Sequence, residues 1–260
     1  MGEARSVEST DLALPVIVEA LTAGHEEHRL EELLAAPLPG ADAIRDRQAA
    51  YAEVTSPALR PRFRAFLDGL AAHRALTARI SRTTSAAQLR FLLLAAVLSY
   101  QDAVATLAAD LAAAHPASRE LRELADVTDR LVSSPDFVER TRRARTLRAR
   151  LDALRFELCL NGLKVSVLPE DPSHRDVSVD VAATFDRFGA ATDADAGSEH
   201  LVRFRLEAWV DAVEEGTLGV LARQQPQLFR DLARFTELNA EHTDQRVRDA
   251  ERWLHLLLST

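Results

Sequence analysis

From Ser56 to Leu158 the apolar residues of this chain recur at helical spacing with only brief interruptions. That period leaves little room for any fold that is not mainly helical. Ser56-Pro57 opens a long helix in which Leu59, Phe63, Phe66, Leu67, Leu70 and Ile80 share a face. Ser85-Ala-Ala-Gln88 has the form of a capping box, where side chains at the two ends satisfy each other's backbone donors. The helix it starts carries Leu89, Leu92, Leu93, Ala96, Tyr100, Val104, Leu107 and Leu111, and His115-Pro116 stops it. A shorter helix follows with Leu121, Leu124 and Leu131. Ser134-Pro135 then places a proline at a first helical position, where its missing N–H costs nothing. The helix from about Asp136 to Leu158 sets Phe137, Leu147, Leu151 and Leu154 among many arginines.

The period then changes. Asn161-Gly162 permits a tight hairpin, because both residues tolerate positive φ. Val177, Val179 and Val181 alternate with polar residues as a half-buried strand does, so a small antiparallel sheet of about three strands is expected. Near the start, Asp11 suits the cap of a helix with Leu14, Ile17, Val18 and Leu21 on one face and Gly24 at its end. Residues 25–36 form another helical turn or two, and Pro37-Leu-Pro-Gly40 breaks the chain. Asp42 then caps a helix to about Val54, with Ile44, Gln48 and Tyr51 aligned. Beyond Phe185 and Phe188 lies an acidic, small-residue loop, 189–197. Ser198 caps a helix with Leu201, Phe204, Ala208 and Val213. The final helices carry Leu221, Leu228, Leu232, Phe235 and Leu238, then Val247, Trp253, Leu254 and Leu257.

The expected fold class is therefore mainly α: a bundle of long antiparallel helices with a small antiparallel β hairpin or sheet inserted near residues 158–181. The expected division is a flexible tail over 1–10, the first part of a helical core over 11–157, a small β insertion over 158–188, and closing core or lever helices over 198–260.

Aromatics are only 5% of the chain, so Leu, Ala and Val must build the core. Forty acidic residues against 32 basic ones give −8, which argues against a chain that coats nucleic acid along its whole length. Lys164 is the only lysine. Together with the abundant alanine, this reads as a coding bias, so arginine richness does not by itself signal phosphate recognition. Cys159 is the only cysteine, which excludes an internal disulfide and fits the cytoplasm. Its leucine-rich surroundings suggest a buried structural thiol. The polar start lacks an apolar signal core, and the run from Phe91 to Leu98 is too short to span a bilayer.

No GxxxxGK[ST] occurs, and none of the nine glycines lies where a phosphate cradle requires it. ATP hydrolysis by this chain alone is not expected, and no catalytic, cofactor or metal set is assigned. His25-Glu-Glu-His28 puts two imidazoles one turn apart, but zinc needs a third protein ligand, and a charged solvated turn is the plainer reading. The other histidines form no spaced set. The arginines of the basic helix, Arg140, Arg142, Arg143, Arg145, Arg148 and Arg150, are the DNA-contact candidates. Guanidinium groups spaced along a helix can pair with successive phosphates in a salt-sensitive, sequence-blind way. The same residues also suit a solvated face paired with acidic neighbours.

The order from Asp11 to Val54 is an apolar helix, a charged segment, a Pro/Gly joint and Asp42-Ala-Ile-Arg-Asp-Arg-Gln48. It resembles the opening of the helical core of the DNA mismatch-repair MutS family. Val177-Ser-Val-Asp-Val-Ala-Ala-Thr-Phe-Asp-Arg-Phe188 resembles a stretch of lone bacterial MutS-like proteins, and the pattern from Leu228 through Phe235 to Trp253-Leu-His-Leu256 resembles their closing core helices. The resemblance implies a helical core and lever region that links double-stranded DNA to an ATPase, without the mismatch-reading domain. The hairpin near Asn161-Gly162 is a candidate for the position of the family's clamp. ATP and magnesium are expected only in a C-terminal ATPase domain, of the same protein or of a second copy, and the apolar end at Leu256-Leu-Leu-Ser-Thr260 is what a chain cut before that domain would show. Phe235-Thr-Glu237 matches the family's mismatch-reading Phe-x-Glu but falls on an apolar stripe, which points to a core role. The alternative expectation is a helical protein–protein interaction module with no DNA role. No membrane partner is expected.

Overall fold

The structure is a computed structural model and describes residues 16, 28, 30–35, 40–161, 164–168, 170 and 213–258. Its helices are α1 (Leu30–Ala35), α2 (Ala41–Val54), α3 (Arg60–Ile80), α4 (Ala86–Ala114), α5 (Arg119–Val132), α6 (Pro135–Asp152), α7 (213–224), α8 (Pro226–Leu238) and α9 (Gln245–Leu258). Strands β1 (Glu157–Asn161) and β2 (Lys164–Leu168) form a two-stranded antiparallel sheet. Among the described residues the chain is thus mainly helical with one small hairpin. The expected tail over 1–10, the helix from Asp11 to Gly24 apart from Val16, the 177–181 strand, Phe185 to Phe188, the 189–197 loop and the helix from Ser198 to residue 212 lie outside the described residues, as does the Pro37–Pro39 joint.

Several boundaries follow from local chemistry. The N–H of Gln88 donates to Ser85 Oγ at 3.4 Å, one half of the expected capping box. The other half is diverted: Gln88 Oε1 accepts the Thr83 hydroxyl at 2.5 Å, and the Ser85 N–H donates to Thr83 Oγ1 at 3.4 Å. At the far end of α4, His115 takes a left-handed φ of 49°, the conformation that usually closes a helix. Ser134 Oγ accepts the N–H of Phe137 at 3.3 Å at the start of α6, with Pro135 at its first position. Gly40, not Asp42, precedes α2 as its cap, with φ at 96°. Asp42 instead pairs with Arg45 one turn on.

Two compact units are present. The first comprises Met1–Thr77, Ala95–Ala144 and Asn239–Thr260, and the second Ala78–Leu94 and Arg145–Leu238. Each is assembled from discontinuous stretches of the chain.

In the first unit, α9 packs on α1, α2 and α5, and α2 packs on α5. Phe63, Phe66, Leu67 and Leu70 of α3 meet Tyr100, Val104, Leu107 and Leu111 of α4, Leu121 and Leu124 of α5, and Val247, Leu254 and Leu257 of α9. The buried stripe of α2 is Ala50 and Val54, while Ile44 and Tyr51 are exposed. The inner face of α2 thus follows its smaller apolar residues, not Ile44 and Tyr51 as the sequence spacing suggests. A remote carboxylate completes α5: Glu53 accepts the N–H groups of Ala117 and Ser118 at 2.6 and 2.9 Å. Burial alone would raise the pKa of Glu53, but these bonds and the charge of Arg122 outweigh it and hold the carboxyl below its usual range.

Helices α3 and α4 approach closely at Gly69, where an added Cβ would stand 2.8 Å from the Ala103 methyl. Ser99 Oγ also donates to the Gly69 carbonyl at 3.1 Å. A helix-interior Gly→Ala change ordinarily stabilises by up to about 1 kcal/mol. At Gly69 the sign reverses, because α3 or α4 must move. Gly69→Ala is expected to destabilise by about 1 kcal/mol or more in urea unfolding, and a stabilised variant would contradict the packing described.

In the second unit Leu92, Leu94, Leu218, Leu221, Leu228, Phe229, Leu232 and Phe235 are buried. Phe235 therefore serves the core, as its position on the stripe indicated. The hairpin pairs Leu158 with Val167 and Asn161 with Lys164, so Asn161 closes the ladder rather than sitting at the loop centre. Cys159 is exposed, which corrects the expectation of a buried thiol. Leu158, beside it in sequence, is itself exposed.

Helix α4 is long and apolar enough to cross a membrane, a property that the short run from Phe91 to Leu98 did not reveal. Its most apolar window is 56% buried within the protein, as in a core helix.

Candidate functional site

Helix α6 determines where the candidate arginines point. At 3.6 residues per turn, Phe137, Arg140, Ala144 and Leu147 fall on one side. Phe137, Ala144 and Leu147 are buried, and Arg140 follows them inward. Its Nε donates to Asn239 Oδ1 at 2.9 Å and its Nη1 to the His242 carbonyl at 3.2 Å. Arg140 is thus a strut within the first unit.

Arg142 and Arg143 are exposed, and both donate to Glu139; Arg142 does so through two bonds of 2.8 Å. Bonds from Arg142 and Arg143 pull the Glu139 carboxyl down to about 2. In the second unit Arg145, Arg148 and Arg150 are exposed. Arg148 pairs with Asp152 at 2.9 Å and lies 5.9 Å from the Phe91 ring centroid. Arg150 pairs with Asp231 at 2.6 Å. Exposed ion pairs of this kind are weak and exchangeable. A phosphate can replace a carboxylate at each of them, but the carboxylates also neutralise the face.

A second arrangement was hidden by sequence distance. In the first unit Leu70, His73, Arg74, Thr77, Tyr100, His242 and Val247 help to line a cavity of about 290 Å³. His73 Nε2 and His242 Nε2 are 3.0 Å apart, and His242 Nδ1 lies 3.1 Å from the Asn239 carbonyl. A carbonyl only accepts, so Nδ1 of His242 carries its proton and Nε2 is bare. His73 is then the donor to His242. Tyr100 completes the group, its hydroxyl accepting the Asp244 N–H at 2.9 Å. Burial, the neighbouring His242 and the Arg74 charge push the His73 pKa down to about 4. Burial also lowers His242, with Arg140 acting the same way and the bond to Asn239 opposing.

This lowered pKa has a consequence for stability. An unfolded histidine takes up its proton near pH ~6.5, whereas His73 in the fold does so at about 4. Between those values the unfolded chain binds more protons, so stability falls as pH falls through that window. His73→Gln keeps a donor for His242 and removes the titration. Its urea midpoint is expected to depend less on pH between pH ~6.5 and ~4 than that of the native chain. Equal slopes would show that His73 is not held neutral.

His28 and His255 also meet, their rings stacked with centroids 4.1 Å apart. Ligand atoms of His28, Glu251 and His255 lie within 4.8 Å of one another, a set that could hold a metal ion. His25, the nearer sequence partner of His28, lies outside the described residues. Of the histidines without a spaced partner in the sequence, His73 meets His242, and His255 meets His28. The available signal was Glu251-x-x-x-His255, which places two ligands one turn apart on a helix. Comparison of the chain with protein-family models, with curated proteins and with solved structures finds no match.

Proposed function

We propose that this chain is a MutS-like core and lever body that couples double-stranded DNA binding to an ATPase domain outside this sequence. The observation that supports the reading is the basic helix leading into the hairpin. α6 exposes Arg142, Arg143, Arg145, Arg148 and Arg150, and β1 begins five residues after its end. A long helix bearing phosphate-pairing groups next to a small β element suits a lever next to a clamp. The chain's role in this reading is mechanical and non-catalytic, in the cytoplasm, with ATP and magnesium handled by the partner domain.

A second reading, a helical protein–protein interaction module, draws support from the carboxylates Glu139, Asp152 and Asp231 that answer these arginines. Fluorescence anisotropy with a labelled duplex at two salt concentrations separates the two. The DNA reading predicts binding that weakens steeply with salt and ignores sequence. No binding at low salt would leave the interaction module as the account.

A further inference from the structure

We propose that His28, Glu251 and His255 form a binding site for a divalent transition metal of the zinc class. The three come from ends of the chain more than 220 residues apart, yet their ligand atoms lie within 4.8 Å of one another. Glu251 and His255 stand one turn apart on α9, so the helix fixes their relative position. His28 is fixed from the same helix by its backbone: Arg252 Nε donates to the His28 carbonyl at 2.6 Å, and Arg252 Nη2 reaches Glu32 at 3.1 Å. His28 and Glu251 are buried, at 4% and 7% exposure, and His255 is half-buried. Histidines and a carboxylate gathered this way in the interior of a unit constitute a ligand set rather than a solvated charge cluster.

The chemistry selects the ion. Two imidazoles and one carboxylate suit zinc and its transition-metal neighbours, whereas magnesium prefers an all-oxygen shell. Metal–ligand bonds of about 2.0–2.2 Å need the donor atoms closer than 4.8 Å, a shift of roughly 1 Å that side-chain rotation supplies. Arg74 forms an ion pair with Glu251 through Oε1. A carboxylate has a second oxygen, and outer partners that orient a ligating carboxylate are common in metal sites. Arg74 therefore positions the ligand while its charge tempers affinity. Three protein ligands leave coordination room for water or a small molecule, and Glu251 also borders the cavity lined by His73 and His242.

Calorimetric titration of the full chain with zinc chloride tests this, with magnesium chloride as control and cobalt(II) absorption as a second readout. One equivalent of zinc and no magnesium are expected to bind. His255→Ala and His28→Ala should each weaken zinc by at least about 100-fold, a loss larger than outer-shell changes produce. Circular dichroism identifies any variant that loses helicity, and for such a variant the cobalt spectrum of the milder His255→Gln decides. Absence of zinc binding by the native chain, or unchanged binding in folded His255 and His28 variants, overturns the proposal.

Discussion

Changing Arg142, Arg143, Arg145 and Arg148 together to Glu is expected to reduce duplex affinity on the order of 100-fold at low salt and to flatten its salt dependence. Each phosphate contact contributes about 0.9 to the slope of log affinity against log salt, so four lost contacts remove about 3 to 4. All four side chains are exposed, so the change does not open the core. Arg148 also lies near the Phe91 ring, which makes a helicity control necessary. Arg140 provides a contrast. It bonds Asn239 and His242, so Arg140→Ala should lower stability by about 1.5–3 kcal/mol per charged bond lost, before any effect on DNA. Affinity and salt slope unchanged by the quadruple substitution would remove α6 as the contact surface.

Phe63→Ala is expected to cost about 3–5 kcal/mol, the largest single-residue loss of stability in the first unit. Its ring is fully buried, at 0% exposure. It belongs to the cluster that joins α3 to α4, α5 and α9. Truncation removes the transfer energy of the ring and leaves a cavity that packed helices cannot fully close. With only ten phenylalanines in the chain, few other residues supply comparable volume. Urea unfolding followed by far-ultraviolet circular dichroism measures the loss. A cost below about 1 kcal/mol would mean that this cluster is not the unit's organising core.

The helices were legible because their signals are local. Ser85, Ser134, Pro135 and the His115-Pro116 stop all act within a turn of where they stand, and the structure uses each of them. Inner faces were legible where large apolar residues mark them, as in α3 and in α8 up to Phe235, but not at Leu238, expected on that face and found exposed, nor in α2, where Ala50 and Val54 are buried and Tyr51 is exposed. Contacts across the sequence left no local signal. Glu53 capping α5, His73 meeting His242, and His28 meeting Glu251 and His255 all depend on how distant helices pack. Arg140 was a different case. Its spacing from Phe137, Ala144 and Leu147 placed it on the buried side of α6, although the density of arginine around it suggested a uniform exposed run.

In the proposed DNA-binding role, the arginines of α6 contact the duplex and Glu139 restrains them. Glu139 holds both Arg142 and Arg143. Glu139→Gln leaves a polar side chain in place and removes the negative charge that Arg142 and Arg143 both pair with, so the expected effect is a gain rather than a loss. Duplex titrations of the native and Glu139→Gln chains at matched salt are the most direct measurement. The account predicts that the variant binds more tightly and that its affinity falls more steeply with salt. Equal affinities, or no binding by either chain at low salt, would contradict it.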